Sequence, residues 1–267
     1  MIIYKYMSYH RFLKSITPDG VYLKISRPCE FNDPFDCAGR AIGCPTKELL
    51  AEIRTKHVPV LEMFSKDCIP NALSLMLSMR HTFDAAYRVF SASDALIVGS
   101  AAEMLMWSHY GDSSKGVRIA IEIDAIKAKC KRVRYKKLLP CLDLSMVKSL
   151  DPFCDDTVRK FLVECLFTKN FVWKHEKERR IVFRIDSPEI KRWTLHDVEA
   201  KVEQAMFVWT PPKTAIRQVC IGSEIDHSKQ NLEGVKDMVR NLNASGYNIE
   251  SKLSVRGGRY CYGECKL

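Results

Sequence analysis

Apolar and polar positions change rhythm several times along the chain, and each rhythm predicts an element. Met1–Met7 is a short β-branched and aromatic run and reads as a first strand. Tyr9–Ile16 reads as a short helix. It is closed by Thr17-Pro18-Asp19-Gly20, where proline fixes φ and glycine allows φ > 0. Val21–Ser26 alternates as a second strand, and Phe31-Asn32-Asp33-Pro34-Phe35-Asp36 is a turn bracketed by aromatics. Thr46 is placed to cap a helix running to His57, with Leu49, Leu50 and Ile53 on one face. Ile69–Phe90 reads as mostly helical.

Further on, Ala95–Gly99 predicts a small apolar strand and Ala101–His109 a short helix. Gly116–Ile123 alternates as a strand, with Arg132–Tyr135 its expected neighbour. Asp151-Pro152 suits a cap and first-turn proline for a helix reaching Thr168. Arg180–Ile185 and Ile216–Ile221 read as strands, and Glu199–Trp209 as a strand or short helix. His227–Ala244 is amphipathic and stops near Gly246. Tyr247–Val255 and Tyr260–Cys265 close the chain as strands. The order is mixed, without regular βα alternation, internal repeat or long linker. It predicts one α+β domain over residues 1–267, with a mixed or antiparallel sheet and a helical insert at about residues 46–92.

Composition bounds the chemistry. The 267 residues are 46% hydrophobic and 28% charged, which excludes a disordered or collagen-like chain. No apolar run approaches the ~18 residues of a membrane span, and Met1–Tyr9 lacks the pattern of a signal peptide. A cytoplasmic protein without membrane association is expected. The eleven cysteines are odd in number and scattered, with no CxxC, so neither a disulfide framework nor a zinc site is expected. The net charge is +10, and Lys127–Lys137 packs seven basic residues into eleven. That block suits contact with phosphates of a nucleic acid or nucleotide. The pattern is better met by a strand whose exposed face is Arg132, Arg134 and Lys136, with Val133 and Tyr135 turned inward.

The P-loop, dinucleotide-binding, hydrolase-elbow and HExxH signatures are all absent. Three other clusters stand out. Met106-Trp107-Ser108-His109-Tyr110-Gly111 sets rings and polar groups together just before a glycine, which suits stacking on a flat ligand or, alternatively, a plain helix end. Trp173-Lys174-His175-Glu176-Lys177-Glu178-Arg179-Arg180 places two carboxylates on one face if the strand starts early. On a helix they would diverge by about 200°, and the segment would be a charged turn with surface ion pairs. Tyr4 and Tyr6 share one face of the first strand, and Asn32-Asp33 lies in the aromatic-flanked turn.

Taken in order, Tyr4-Lys5-Tyr6, Ser26 through Asp36 (S-x4-FNDPFD), MWSHYG and Trp173-x-x-Glu176-x-Glu178-x-Arg180 resemble the bacterial domain-of-unknown-function 2971 family over about residues 2–222. At Ala95–Ser100 the chain departs from relatives, which often carry a Cys-Phe-Ser-like strand there. The family layout is similar to ADP-ribosyltransferase-like domains. The resemblance implies NAD as substrate, with a protein, nucleic-acid or water acceptor, in a bacterial toxin or phage-defence setting. Tyr4 or Tyr6 would hold the adenosine side. Ser26 would sit near the nicotinamide amide, and Asn32, Asp33 and Trp107 would join the binding surface. His109 or Tyr110 would stack on nicotinamide or ribose. Glu178, or Glu176, would stabilise the oxocarbenium-like transition state, and Arg180 or the Lys127–Lys137 block would neutralise the diphosphate. The usual first-strand His or Arg is replaced here by Tyr or Lys. Two other classes fit the residues. One is a nucleic-acid-binding protein or nuclease, with Asp33, Asp36, Glu176 and Glu178 around Mg²⁺. The other is a non-catalytic sensor or partner-binding protein.

Overall fold

The computed structural model describes residues 1–17, 20–33, 36–37, 39–43, 45–56, 84–126, 130–149, 151, 154–197, 202–224, 229–257 and 261–266. The N-terminal part forms β1 (Ile2–Met7), α1 (Tyr9–Ser15), β2 (Ile16–Thr17), β3 (Gly20–Val21), β4 (Leu23–Ile25), β5 (Arg40–Ile42) and α2 (Lys47–Lys56). The middle forms β6 (Tyr87–Asp94), α3 (Ala101–Tyr110), β7 (Val117–Glu122), β8 (Cys130–Arg132), β9 (Arg134–Lys136), β10 (Cys141–Asp143), α4 (Asp156–Leu166) and β11 (Thr168–Asn170). A 3-10 helix, Phe171–Glu176, then leads to β12 (Glu178–Arg184), β13 (Ile190–Asp197), β14 (Val202–Trp209), β15 (Ile216–Ile221), α5 (Lys229–Ala244), β16 (Glu250–Gly257) and β17 (Cys261–Lys266).

Among the described residues the main sheet has eight strands in the order β17-β16-β15-β7-β1-β6-β12-β8. It is mixed: β15 and β16 are parallel and the other pairs antiparallel. The α+β class is therefore as the sequence predicts. Ile3, Phe90, Ile119, Ile121, Ile181 and Val219 from this sheet build the main core with Val235, Val239 and Leu242 of α5. A second core packs Val158, Phe161 and Leu162 of α4 against Leu142, Leu144 and Val89.

The sheet is split at its middle. β1 pairs with β7 over six residues but with β6 only at Ile3↔Asp94 and Tyr4↔Ser93. β6 continues instead along β12 for seven residues, from Glu178↔Ser93 to Arg184↔Tyr87. Ser26, just past β4, enters the gap and exchanges backbone hydrogen bonds with Val89 at 3.0 and 2.9 Å. Through β4 it brings in a second sheet, ordered β13-β14-β4.

Several expected elements lie elsewhere. The strand expected at Ala95–Gly99 is β6, eight residues upstream at its start, and it takes Tyr87–Phe90 out of the expected helical insert. It is buried on both faces, so it shows no alternation. It also carries Phe90-Ser91. Arg132–Tyr135 is not the neighbour of β7: β8 lies at the far edge beside β12, and β9 pairs with β11. Val21–Ser26 is broken at Tyr22. The helix expected from Asp151 starts at Asp156, where Asp155 accepts from the N–H groups of Thr157 and Val158. Pro18-Asp19, Pro34-Phe35, residues 57–83, Lys127–Lys129 and Pro152 lie outside the described residues. Among the described residues Cys29, Cys37, Cys130, Cys141, Cys154, Cys165 and Cys220 are not disulfide-bonded. No helix among the described residues is long and apolar enough to cross a membrane.

Candidate functional site

Where β1 and β6 part, a cleft of about 670 Å³ opens, within the usual range of small-molecule sites. Tyr4, Tyr6, Ser26, Asn32, Asp33, His109, Tyr110, Glu176 and Glu178 all line it. Residues far apart in sequence therefore meet in one place.

The two glutamates arrive by different routes. Glu178 is the first residue of β12, while Glu176 ends the preceding 3-10 helix. Between them Lys177 takes a left-handed conformation, φ +45°, and this turn lets both side chains reach one ammonium. Lys169 Nζ lies 2.7 Å from Glu176 Oε2, 3.2 Å from Glu178 Oε2 and 3.3 Å from Asp36 Oδ2. Arg180 Nε donates to Glu178 Oε1 at 2.6 Å, and Nη2 donates to both Asp36 oxygens at 2.7 and 2.8 Å. Its Nη1 donates to the Leu166 carbonyl at 2.7 Å. The Ser91 hydroxyl donates to Glu178 Oε1, and the Glu178 N–H donates to the Tyr135 hydroxyl at 2.7 Å. The Tyr110 hydroxyl donates to Glu176 Oε1 at 2.5 Å. Three carboxylates thus face two cations, which leaves one negative charge uncompensated within the cluster.

Environment drives the pair apart. Burial would raise Glu178, but Arg180 and Lys169 outweigh it and hold the carboxyl at about 2. Burial lifts Glu176 above the ordinary range; Lys169 opposes this and the charge of Glu178 adds to it. Burial alone would lower the Lys169 ammonium, but Glu178, Asp36 and Glu176 raise it. Burial and the neighbouring Glu176 push the Tyr110 phenol up.

Rings gather beside the carboxylates. The exposed His109 ring is 6.3 Å from Tyr110 and 6.4 Å from His175, which is 6.0 Å from Trp173. Lys169 Nζ sits 4.9 Å from the Trp173 centroid. α3 carries His109 and Tyr110, and a buried ion pair fixes it to β7: Arg118 Nη1 to Glu103 Oε1, 2.7 Å. The same guanidinium lies 4.5 Å from the Tyr4 ring centroid.

Three expectations are corrected. Trp107 does not line the cleft: it is 2% exposed and meets Tyr6 edge-on at 5.1 Å in a small core. Arg180 does not face the cleft either. It is wholly buried beneath Glu178 and Asp36, with its guanidinium over the Phe31 ring at 4.7 Å. The described basic residues of the Lys127–Lys137 block do not line the cleft, although Tyr135 of the same segment reaches the Glu178 N–H. There Val133 is buried, Arg132 pairs with Asp94, and Arg134 and Lys136 pair with Glu164. The lysine and arginine side chains that do line the cleft are Lys5, Arg11, Lys14, Lys24 and Lys169. Three of the four carboxylates expected around Mg²⁺, Asp36, Glu176 and Glu178, surround Lys169 Nζ instead. Among the described residues no group of three or more His, Cys, Asp or Glu side chains is arranged to hold a metal ion.

Sequence reasoning missed Lys169 and Ser91. Lys169 sits in a three-residue strand with no pattern of its own, and Ser91 lies on the strand whose two-sided burial hides it. Comparison with protein families, with curated proteins and with solved structures finds no match. The fold and site define an α+β protein with a mixed sheet split around a polar and aromatic cleft.

Proposed function

We propose that the chain is an NAD-consuming enzyme of ADP-ribosyltransferase-like layout, working as a transferase or a glycohydrolase. One observation carries this reading. Glu176 and Glu178 stand together at the wall of a cleft opened by a split sheet, with a negative charge to spare and a set of rings beside them. Departure of nicotinamide leaves positive charge on the ribose carbon. A carboxylate beside that charge contributes about 3–4 kcal/mol of transition-state stabilisation. Glu178, held ionised, supplies it. Glu176, held higher, positions a ribose hydroxyl or takes the proton of the acceptor, the division of labour that separated carboxylate values allow. Tyr110 and His109 give the nicotinamide a surface to stack on, and Tyr4 and Tyr6 border the adenosine side. Arg11, Lys14 and Lys24 take the diphosphate, in the role expected of Arg180 or the Lys127–Lys137 block. The resemblance to the domain-of-unknown-function 2971 family carries the further proposal of a bacterial toxin or phage-defence effector. The test is nicotinamide release from NAD by the wild type beside Glu178→Gln and Glu176→Gln.

One observation favours a second reading. The oxygens of Glu178 already accept from Arg180, Lys169 and Ser91, as in a purely structural network. A non-catalytic binding protein would show altered stability in these variants and no turnover in the wild type.

A further inference from the structure

Lys5 sits where β1 leaves β6. Its Nζ crosses the split and donates to the Ser91 carbonyl at 2.7 Å, and it lies 5.4 Å from the Phe90 ring centroid. Lys169 has three carboxylates around it. Among the described residues Lys5 has none within ion-pair distance. Glu178 is linked to it only through Ser91, whose carbonyl takes Lys5 and whose hydroxyl donates to Glu178. Arg11 and Lys24 line the same cleft. Desolvation, no directly paired acid and neighbouring cations are the conditions that raise the neutral, nucleophilic fraction of a lysine amine near neutral pH. Burial, aided by Arg11 and Lys24 and opposed by Glu178 and Glu176, brings its ammonium down to about 8.

We propose that Lys5 is a carbonyl-capturing amine, which forms an imine with the open-chain aldehyde of a phosphorylated aldose whose phosphate rests on Arg11 and Lys14. The neutral Nζ adds to the aldehyde carbon and a C–N bond forms. The carbonyl oxygen leaves as water with the two amine hydrogens, so no oxidant or reductant is consumed. The neutral imine then takes one proton from solvent and becomes a cation near the ionised Glu178. A free aldose phosphate is one source of this chemistry. The ribose end freed by NAD cleavage is the other, and that source alone rests on the proposed function.

The test incubates the full chain with ribose 5-phosphate, with ADP-ribose or with unphosphorylated ribose, each with cyanoborohydride, and maps the adducts by peptide mass spectrometry. Lys5 is expected to carry at least about tenfold more adduct than Lys14 or Lys24 in a phosphorylated arm, because its amine faces the aldehyde of a sugar whose phosphate is held in the cleft. Plain ribose is expected to label it weakly. Labelling by ADP-ribose alone assigns the nucleotide end as the source, and labelling by ribose 5-phosphate assigns the free sugar. Equal labelling of Lys5 and the rim lysines, or labelling indifferent to phosphate, overturns the proposal. The map is read on the wild type, so it does not depend on the folding of Lys5→Arg, in which the Lys5 adduct should vanish. No arm contains NAD, so failure here leaves the nicotinamide-release test untouched.

Discussion

Arg180 grips Glu178 at two points: Nε lies 2.6 Å from Oε1 and Nη2 3.0 Å from Oε2. The two residues are neighbours on one face of β12, because side chains on a strand repeat every second position. The guanidinium also carries Asp36, so its removal leaves two buried carboxylates with Lys169 as their remaining close cation. Losing one member of a buried ion network costs about 3–5 kcal/mol. Arg180→Leu should lose that much in chemical denaturation. Arg184→Ala, on the exposed end of the same strand, should stay within about 1 kcal/mol. Equal effects would show that the buried network does not organise the site.

The separation of the two glutamates has a signature in the acid limb of stability. Glu178 falls from its ordinary 4.5 to about 2 on folding. Its contribution is therefore complete above about 4.5 and lost as the pH drops toward 2. Glu176 is raised, so its contribution has the opposite sign and fades as the pH rises through its elevated value. Denaturation midpoints between pH 7 and 2 should climb less steeply with pH in Glu178→Gln than in the wild type. They should climb more steeply in Glu176→Gln. Parallel curves for all three proteins would contradict the assignment.

Tyr110 supplies a phenol donor to the Glu176 carboxylate. Tyr110→Phe should cost about 1–2 kcal/mol. It should also move Glu176 to a still higher titration midpoint, because the lost bond favoured the charged form. Carboxyl-carbon NMR of Glu176 reads this directly, and an unmoved midpoint would mean that the bond is not formed in solution.

Trp107 belongs to the core and not to the ligand surface. Trp107→Ala should lose about 3–5 kcal/mol. Trp107→Phe, which keeps most of the packing, should leave nicotinamide release near the wild-type rate. A large loss of turnover in a stably folded Trp107→Phe would return this residue to the site.

Much of the frame was legible because its rhythm is local. β1, α1, α3, β7 and β15 are short segments with one clear apolar face or run. β6 was hidden, since Arg88 and Ser93 are buried beside Val89 and Phe90 and no alternation survives. The segment from Trp173 to Arg180 shows the harder problem. A run of charges reads as a solvated turn, yet Glu176, Glu178, Arg179 and Arg180 are buried. Lys169 and Asp36 draw in Glu176, Glu178 and Arg180, Asp94 holds Arg179, and no local pattern announces any of these partners. The glutamates could be named from the sequence. The cation between them, and the direction in which Arg180 points, belong to tertiary structure.

The most direct test of the central claim is nicotinamide release from NAD by the purified chain, beside Glu178→Gln compared at conditions where both proteins are folded. Release by the wild type, falling about 100- to 1,000-fold in Glu178→Gln, is the predicted result. No release by the wild type with protein and nucleic-acid acceptors present, or release unchanged in Glu178→Gln, would contradict it.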